Sequence, residues 1–527
     1  MAAAGMSERD SSVLFGLDIG TTACKLVAFD AAGTALAQAR EEYPLEHPHK
    51  GWAELDPDII FDAARTVISR VALRVRDYSS VALAISSQGE AFVPVDIRGQ
   101  WLMRAPVTVD TRGKEAAARF RHAFGDEDIA GITGHRLTHW STLSKLLWMK
   151  QSADDHLRRT WRVFSVGDYV LHRFGLEPRM DLSLAARTVM LDVNELTWST
   201  RLLERAGIDM SVLPPLAPAG TPIGTIEGGL PELGLHVPMT AVAGGHDQAC
   251  AALGAGVITA GTGLYSLGTT ESLAIATAGP QQALPMANLP NYPHVVPGSF
   301  IAIAGTQNGG RLLRWYDDLV RASGAAETLA EVADRPSPAI VIPHFAGTNT
   351  VLDDDLALGV IAGLSLDSDR PAITHALLEG ITSDQRIALA EIRRCGLPVE
   401  RLNAVGGATR STRWMQIKAD MLDVPIQTLE ESEASCAGAA MLAGLGSGAL
   451  PTVDAAVASF VRVSTVYEPR RDHAAVYERK MAIYRSVYRR LRSIWPRLNE
   501  LENEIMALDA STRPEGTEVA DSDQEGP

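Results

Sequence analysis

Cysteine is scarce: four residues in 527, at Cys24, Cys250, Cys395 and Cys436. Their wide spacing excludes a metal knuckle or a disulfide framework and suits small buried residues in a reducing cytosol. Positive charge is also in deficit, with 48 Lys and Arg against 64 Asp and Glu and a formal net charge of -16. Such a field repels polyanions and argues against nucleic acid or an anionic membrane as the main partner. No run of roughly 20 apolar residues occurs, so no membrane-spanning helix is expected. The leader Met1 to Ser12 has no apolar core of the kind a secretory signal needs. The sequence therefore predicts a cytoplasmic protein.

What is present is ample apolar material, 46% of the chain, over a length that calls for two domains. Val13 to Leu17 reads as a buried strand, Lys25 to Asp30 as a second, and Thr34 to Arg40 as a third after an Ala-Ala-Gly turn. Asp58 to Val75 has helical apolar spacing, and Val81 to Ser86 is a short apolar strand. Strands alternating with helices give an α/β protein. The pattern returns in the second half, where Ala241 to Asp247 is a strand ending in glycines and an aspartate, and Gly263 to Thr270 a strand entering a Gly-Thr-Thr turn. A duplicated fold with a cleft between the halves follows. The domains are expected at 13–255 and 256–495. Helical spacing continues from Tyr477 to Leu508, and 509–527, acidic and poor in apolar residues, is expected as a disordered tail.

Three glycine-containing turns have the makings of a triphosphate grip. In Gly16-Leu17-Asp18-Ile19-Gly20-Thr21-Thr22-Ala23-Cys24-Lys25 a glycine turn brings backbone N–H groups close to phosphate oxygens, and Thr21, Thr22 and Lys25 add donors. Asp18, at the strand end, suits a water-coordinated Mg²⁺. The spacing matches neither the Walker A loop nor the dinucleotide fingerprint, and an ordinary hairpin turn is the competing reading. Gly268-Thr269-Thr270 and Val405-Gly406-Gly407-Ala408, the latter ahead of a helix expected over Thr412 to Leu422, are weaker alone.

Taken in order, these segments resemble the FGGY carbohydrate kinases, whose fold is actin-like (ribonuclease H-like), over roughly Val13 to Arg490. Gly16 to Lys25 and Gly268 to Thr270 resemble the family's phosphate motifs, Gly244 to Gln248 its catalytic-base segment, and Gly406 to Ala408 its adenosine motif. Asp110-Thr111-Arg112, Lys145 to Trp148, Gly310 to Trp315 and Gly359 to Leu364 extend the likeness. The resemblance implies an enzyme that transfers the γ-phosphoryl of ATP to a hydroxyl of a small sugar or polyol. Asp247 would be the general base and, with Asp18, a ligand of Mg²⁺. Gly20, Thr21, Thr22, Lys25, Gly268, Thr269, Gly310, Gly406, Gly407 and Ala408 would bind ATP. Gln88, Glu90, Trp140, Asp247 and Gln248 would meet the sugar, since carboxylates and amides suit hydroxyls and an aromatic face suits C–H groups.

Each has a plainer reading: Asp247 as the cap of a helix starting at Gln248, Trp140 as core, and Glu430, Glu431 and Glu433 as acidic residues favoured before a helix rather than metal ligands. Glycerol kinases carry arginine where this chain has Gly89, and His344 to Asn349 resembles the xylulokinase and fuculokinase side of the family. A substrate of about four to six carbons is implied. Assembly is left open, a homodimer included. A non-catalytic sugar or nucleotide sensor of the same fold is the alternative function, disfavoured because a sensor needs no base.

Overall fold

The computed structural model describes residues 12–75, 78–321, 324–330, 332, 335–348 and 350–512. Two mixed sheets form its frame. In the first, the strands Ser12–Ile19, Ala23–Phe29 and Ala35–Glu42 run as an antiparallel meander, and Ser80–Ser87 and then Met239–His246 add in parallel to the other side of the first strand, with Pro222–Ile226 at the edge. The second sheet repeats this plan. Thr262–Leu267, Glu271–Thr277 and Phe300–Thr306 form the meander, Arg401–Val405 and Ile426–Leu429 add in parallel, and Asn291–Pro293 and Val463–Tyr467 close the edges.

The duplication is real but its register differs from the sequence reading. The counterpart of the opening hairpin is Thr262–Thr277, whereas Ala241 to His246 belongs to a parallel strand of the first sheet and Asp247 opens the helix after it. Parallel central strands buried on both faces explain the near-continuous apolar runs Leu14 to Leu17, Val81 to Ile85 and Ala241 to Ala243.

The halves are stitched by two helices. Asp247–Gly254 leaves the first sheet and Ala434–Ser447 leaves the second, and they cross at glycines. A Cβ on Gly254 would lie 2.0 Å from the Ala434 carbonyl oxygen, and one on Gly438 1.9 Å from that of Cys250, so no side chain fits at the crossing. Ala434–Ser447, rich in Ala and Gly, is buried among residues of both halves, against Leu14, Val27, Val242 and Leu253. It therefore carries the second half's frame onto the first sheet.

Element ends moved by one to three residues from expectation: the first helix is Pro57–Ala72, capped by Asp56, while Thr412–Leu422 is as anticipated. The expected tail begins too early. Arg471–Leu491 is followed by a second helix, Trp495–Thr512, so residues 509 to 512 are helical; 513–527 lie outside the described residues. Among the described residues no helix is long and apolar enough to cross a membrane.

Candidate active site

The strand register assembles the first cluster. Asp18, Ser86 and Gly245 lie level on neighbouring strands, and Ile19, Ser87 and His246 lie one step further on. Asp18 and Asp247 thus emerge at the carboxyl ends of two parallel strands with Ser80–Ser87 between them, where open α/β sheets place their ligands. Ser86 Oγ donates to Asp18 Oδ1 at 2.6 Å. Burial pushes the Asp18 carboxyl up to about 6, with the Ser86 hydrogen bond acting against it.

Asp247 is the first residue of its helix, one position earlier than expected, with His246 in the capping position. Its carboxylate accepts from the Gln248 backbone N–H at 2.6 Å and lies 3.1 Å from His246 Nε2. No Lys or Arg forms an ion pair with it among the described residues, and 30% of its side-chain surface is open. Burial, followed by the nearby carboxylates Asp18 and Glu90, pushes it up to about 7; the Gln248 N–H and Arg187 pull the other way.

His246 was not among the site residues expected from the sequence, yet its ring lies against this carboxylate. Its Nδ1 lies 2.8 Å from the Tyr292 hydroxyl. Burial, with Arg187 and His135 nearby, holds its pKa well below the ordinary value. A neutral ring carries one N–H, so the Tyr292 hydroxyl and Nδ1 share a single hydrogen bond, and Nε2 stands against Asp247 Oδ1. The His246 backbone N–H donates to Ser183 Oγ at 2.9 Å, and Ser183 donates to Asp181, the cap of the helix Leu182–Arg187.

That helix ends in Arg187, the second residue the sequence did not reveal. Arg187 Nη2 pairs with Glu90 Oε1. Burial disfavours the guanidinium, but Glu90, Tyr292 and Asp247 around it raise its pKa. Glu90 Oε2 also accepts from Thr108 Oγ1 at 2.9 Å. Glu90 has φ 53°, a left-handed conformation costly for a side chain with a Cβ and common at functional sites. The loop is held there by Thr142 Oγ1 and the buried Lys145 Nζ, both donating to the Glu90 carbonyl. Lys145 to Trp148 and Asp110-Thr111-Arg112 are therefore scaffold: Arg112 pairs with Asp110 and Glu54 and lies over the Trp52 ring at 3.9 Å.

Glu90, Arg187 and Trp140 line a cavity of about 390 Å³, whose far wall comes from the other half through Asn288, Ile303 and Thr348. Arg187 Nε and His135 Nε2 are buried at this wall without a hydrogen-bond partner. Gln88 faces elsewhere. Its amide accepts from Thr21 Oγ1 and donates to the Gly20 carbonyl, bracing the first turn. Gln248 Oε1 accepts from Ser272 Oγ of the second sheet at 2.9 Å.

The three glycine turns divide between the halves. Gly20 to Thr22 is the hairpin beside Asp18, and Lys25 Nζ pairs with Glu433. The other stations converge: the N–H groups of Gly310 and Arg311 donate to the carbonyls of Gly268 and Thr269. Gly406 has φ 105°, and a Cβ there would lie 2.4 Å from the Leu267 carbonyl oxygen. Gly268, Thr269 and Gly407 are exposed, and Ala408 is half-buried. Below this cluster Lys418 Nζ contacts both Glu271 oxygens at 2.8 Å and the Tyr265 hydroxyl at 2.9 Å, all buried.

The N-terminal domain model of the FGGY carbohydrate kinases matches residues 13–254, and the C-terminal domain model matches 263–447. The chain belongs to the FGGY family of carbohydrate kinases. Among this FGGY kinase's relatives, a xylulose kinase of Staphylococcus epidermidis is 26% identical over 498 residues, 93% of this chain and 99% of the relative. A glycerol kinase of Corynebacterium glutamicum is 28% identical over 491 residues, 86% of this chain and 93% of the relative. The structure of a xylulose kinase from Rhodospirillum rubrum superposes with a TM-score of 0.82 at 27% identity, covering 92% of this chain and 99% of that one. The protein is an ATP-dependent carbohydrate kinase with the two-domain actin-like fold.

Proposed function

We propose that this kinase phosphorylates a hydroxyl of a sugar or sugar alcohol of about four to six carbons, with Asp247 as general base. The observation that carries the reading is a partly open carboxylate at the carboxyl end of the first sheet, without a Lys or Arg ion pair among the described residues and pushed up to about 7. A base works best when its pKa lies near the working pH.

The substrate hydroxyl would donate to the Asp247 oxygen not held by His246. As its oxygen bonds to the transferred phosphorus, the proton passes to Asp247 and the bond from phosphorus to ADP breaks. Phosphoryl transfer of this kind asks for position and charge neutralisation more than covalent help. Glu90, Arg187 and His135 would hold the remaining hydroxyls, and Trp140 would pack on the C–H face. Gly20, Thr21, Thr22, Gly268, Thr269, Gly310, Gly406, Gly407 and Ala408 would bind ATP. Lys25 joins them by leaving Glu433, and Gln88 acts through the first turn.

Asp18 and Asp247 suit a magnesium ion. A hard cation that keeps several waters needs one or two carboxylates, and both of these are pushed upward where they stand. When bound, the ion would neutralise charge on the phosphate oxygens.

A coupled ADP-release screen across ketoses, aldoses and polyols tests the substrate class. Release above the ATP-only rate for a substrate of that size is expected. A rate no sugar or polyol raises would contradict it.

A further inference from the structure

The last helix, Trp495–Thr512, is held to the body by one face. Trp495 is buried beside Tyr488 and His344, and Asn499 Nδ2 donates to the Leu356 carbonyl at 3.1 Å. A second stripe, about a quarter turn away, is apolar and open. Ile494, in the turn before the helix, then Leu498, Leu501 and Ile505 follow at steps of four, three and four, and are 40%, 44%, 50% and 51% exposed. That alternation is the a/d seam of a coiled coil, narrower than the stripe of a helix lying on a core.

Two candidate occupants fail on chemistry. The flanks of the stripe carry Glu500, Glu502 and Glu504, the wrong sign for an anionic lipid surface. Residues 513–527 contain Val519 as their single large aliphatic residue and so cannot fill the seam.

A second copy fits. Running antiparallel about a two-fold axis between residues 499 and 500, Leu498 meets Leu501 and Ile494 meets Ile505 of the other chain, each twice. In that register Arg497 of one copy faces Glu504 of the other, also twice. Arg497 and Glu504 are exposed, and neither makes an ion pair among the described residues. A parallel pair would set Arg497 against Glu502 but also Glu504 against Asp509, so each attraction is offset by a repulsion. We propose that the C-terminal helix is a self-association element through which two copies of this kinase pair antiparallel along Ile494, Leu498, Leu501 and Ile505.

Analytical ultracentrifugation of the full chain over a concentration series tests this. Wild type is expected as a dimer and Leu501→Asp as a monomer with unchanged turnover. Arg497→Glu is expected to raise the dimer dissociation constant about tenfold, roughly 1.4 kcal/mol, and adding Glu504→Arg to restore it. The exchanged residues are exposed, so this pair stands even where Leu501→Asp misfolds. A wild-type monomer throughout, or a dimer insensitive to all these changes, would overturn the proposal. Rescue by Glu502→Arg in place of Glu504→Arg would overturn the antiparallel order.

Discussion

Asp247 and His246 are adjacent in sequence and do different jobs. The carboxylate is raised, so it accepts a proton readily but is charged only above about pH 7. As general base it must be deprotonated to act, so kcat/KM should rise with pH along an acidic limb in the neutral range. With its proton on Nε2, 3.1 Å from Asp247 Oδ1, His246 would donate to the charged form and thereby favour it. Removing that donor with His246→Phe should move the limb to higher pH, read from a pH–rate profile, while His246→Asn, which keeps an N–H, should move it less. Glu90→Ala should raise KM for the sugar by an order of magnitude or more and leave KM for ATP nearly unchanged, since it removes a hydroxyl acceptor worth about 1.5–3 kcal/mol. An unchanged sugar KM would place the pocket elsewhere. At this scale the sequence was legible where chemistry is written in a motif, as at Asp18, Asp247 and Glu90. It was silent on Arg187 and Tyr292, which reach the site through tertiary packing from segments with no signature of their own.

The elements explain why the motifs work in pairs. The hairpin of the second glycine turn, proposed to bind phosphate, rests on the buried Lys418, Glu271 and Tyr265. Lys418→Met leaves Glu271 buried and unpaired, which should cost about 3–5 kcal/mol and raise KM for ATP. Lys418→Met with Glu271→Leu should recover much of the stability in denaturant melts. The helix crossing is equally demanding. Gly438→Val must push two backbones apart, and a loss of about 1–3 kcal/mol or more is expected; a melting temperature equal to wild type would show that the crossing yields. The sequence does not show this crossing, because the close partner of each glycine, Cys250 for Gly438 and Ala434 for Gly254, lies about 180 residues away. The same distance hid the true repeat. The strand ending at His246 looked like a second opening strand because both end in glycine and aspartate, and only pairing shows which sheet position each takes.

The whole molecule is two copies of one sheet plan whose strand ends face a shared region. In the proposed function the base, the magnesium carboxylates and the sugar wall come mainly from the first copy and two of the three glycine turns from the second, so that closing the halves on substrate would exclude water from the transferred group. Length and the recurring glycine turns made the duplication readable, and the order of the motifs made the family readable. The cavity was not, because Asn288 and Ile303 on its far wall lie in segments with no motif, and nothing in His344 to Asn349 shows that Thr348 joins them opposite Glu90. The most direct test of the account is single-turnover phosphorylation by Asp247→Asn, with ATP binding followed by calorimetry. The account predicts turnover lower by about 10²–10⁴-fold with ATP affinity near wild type; phosphorylation at the wild-type rate would contradict it.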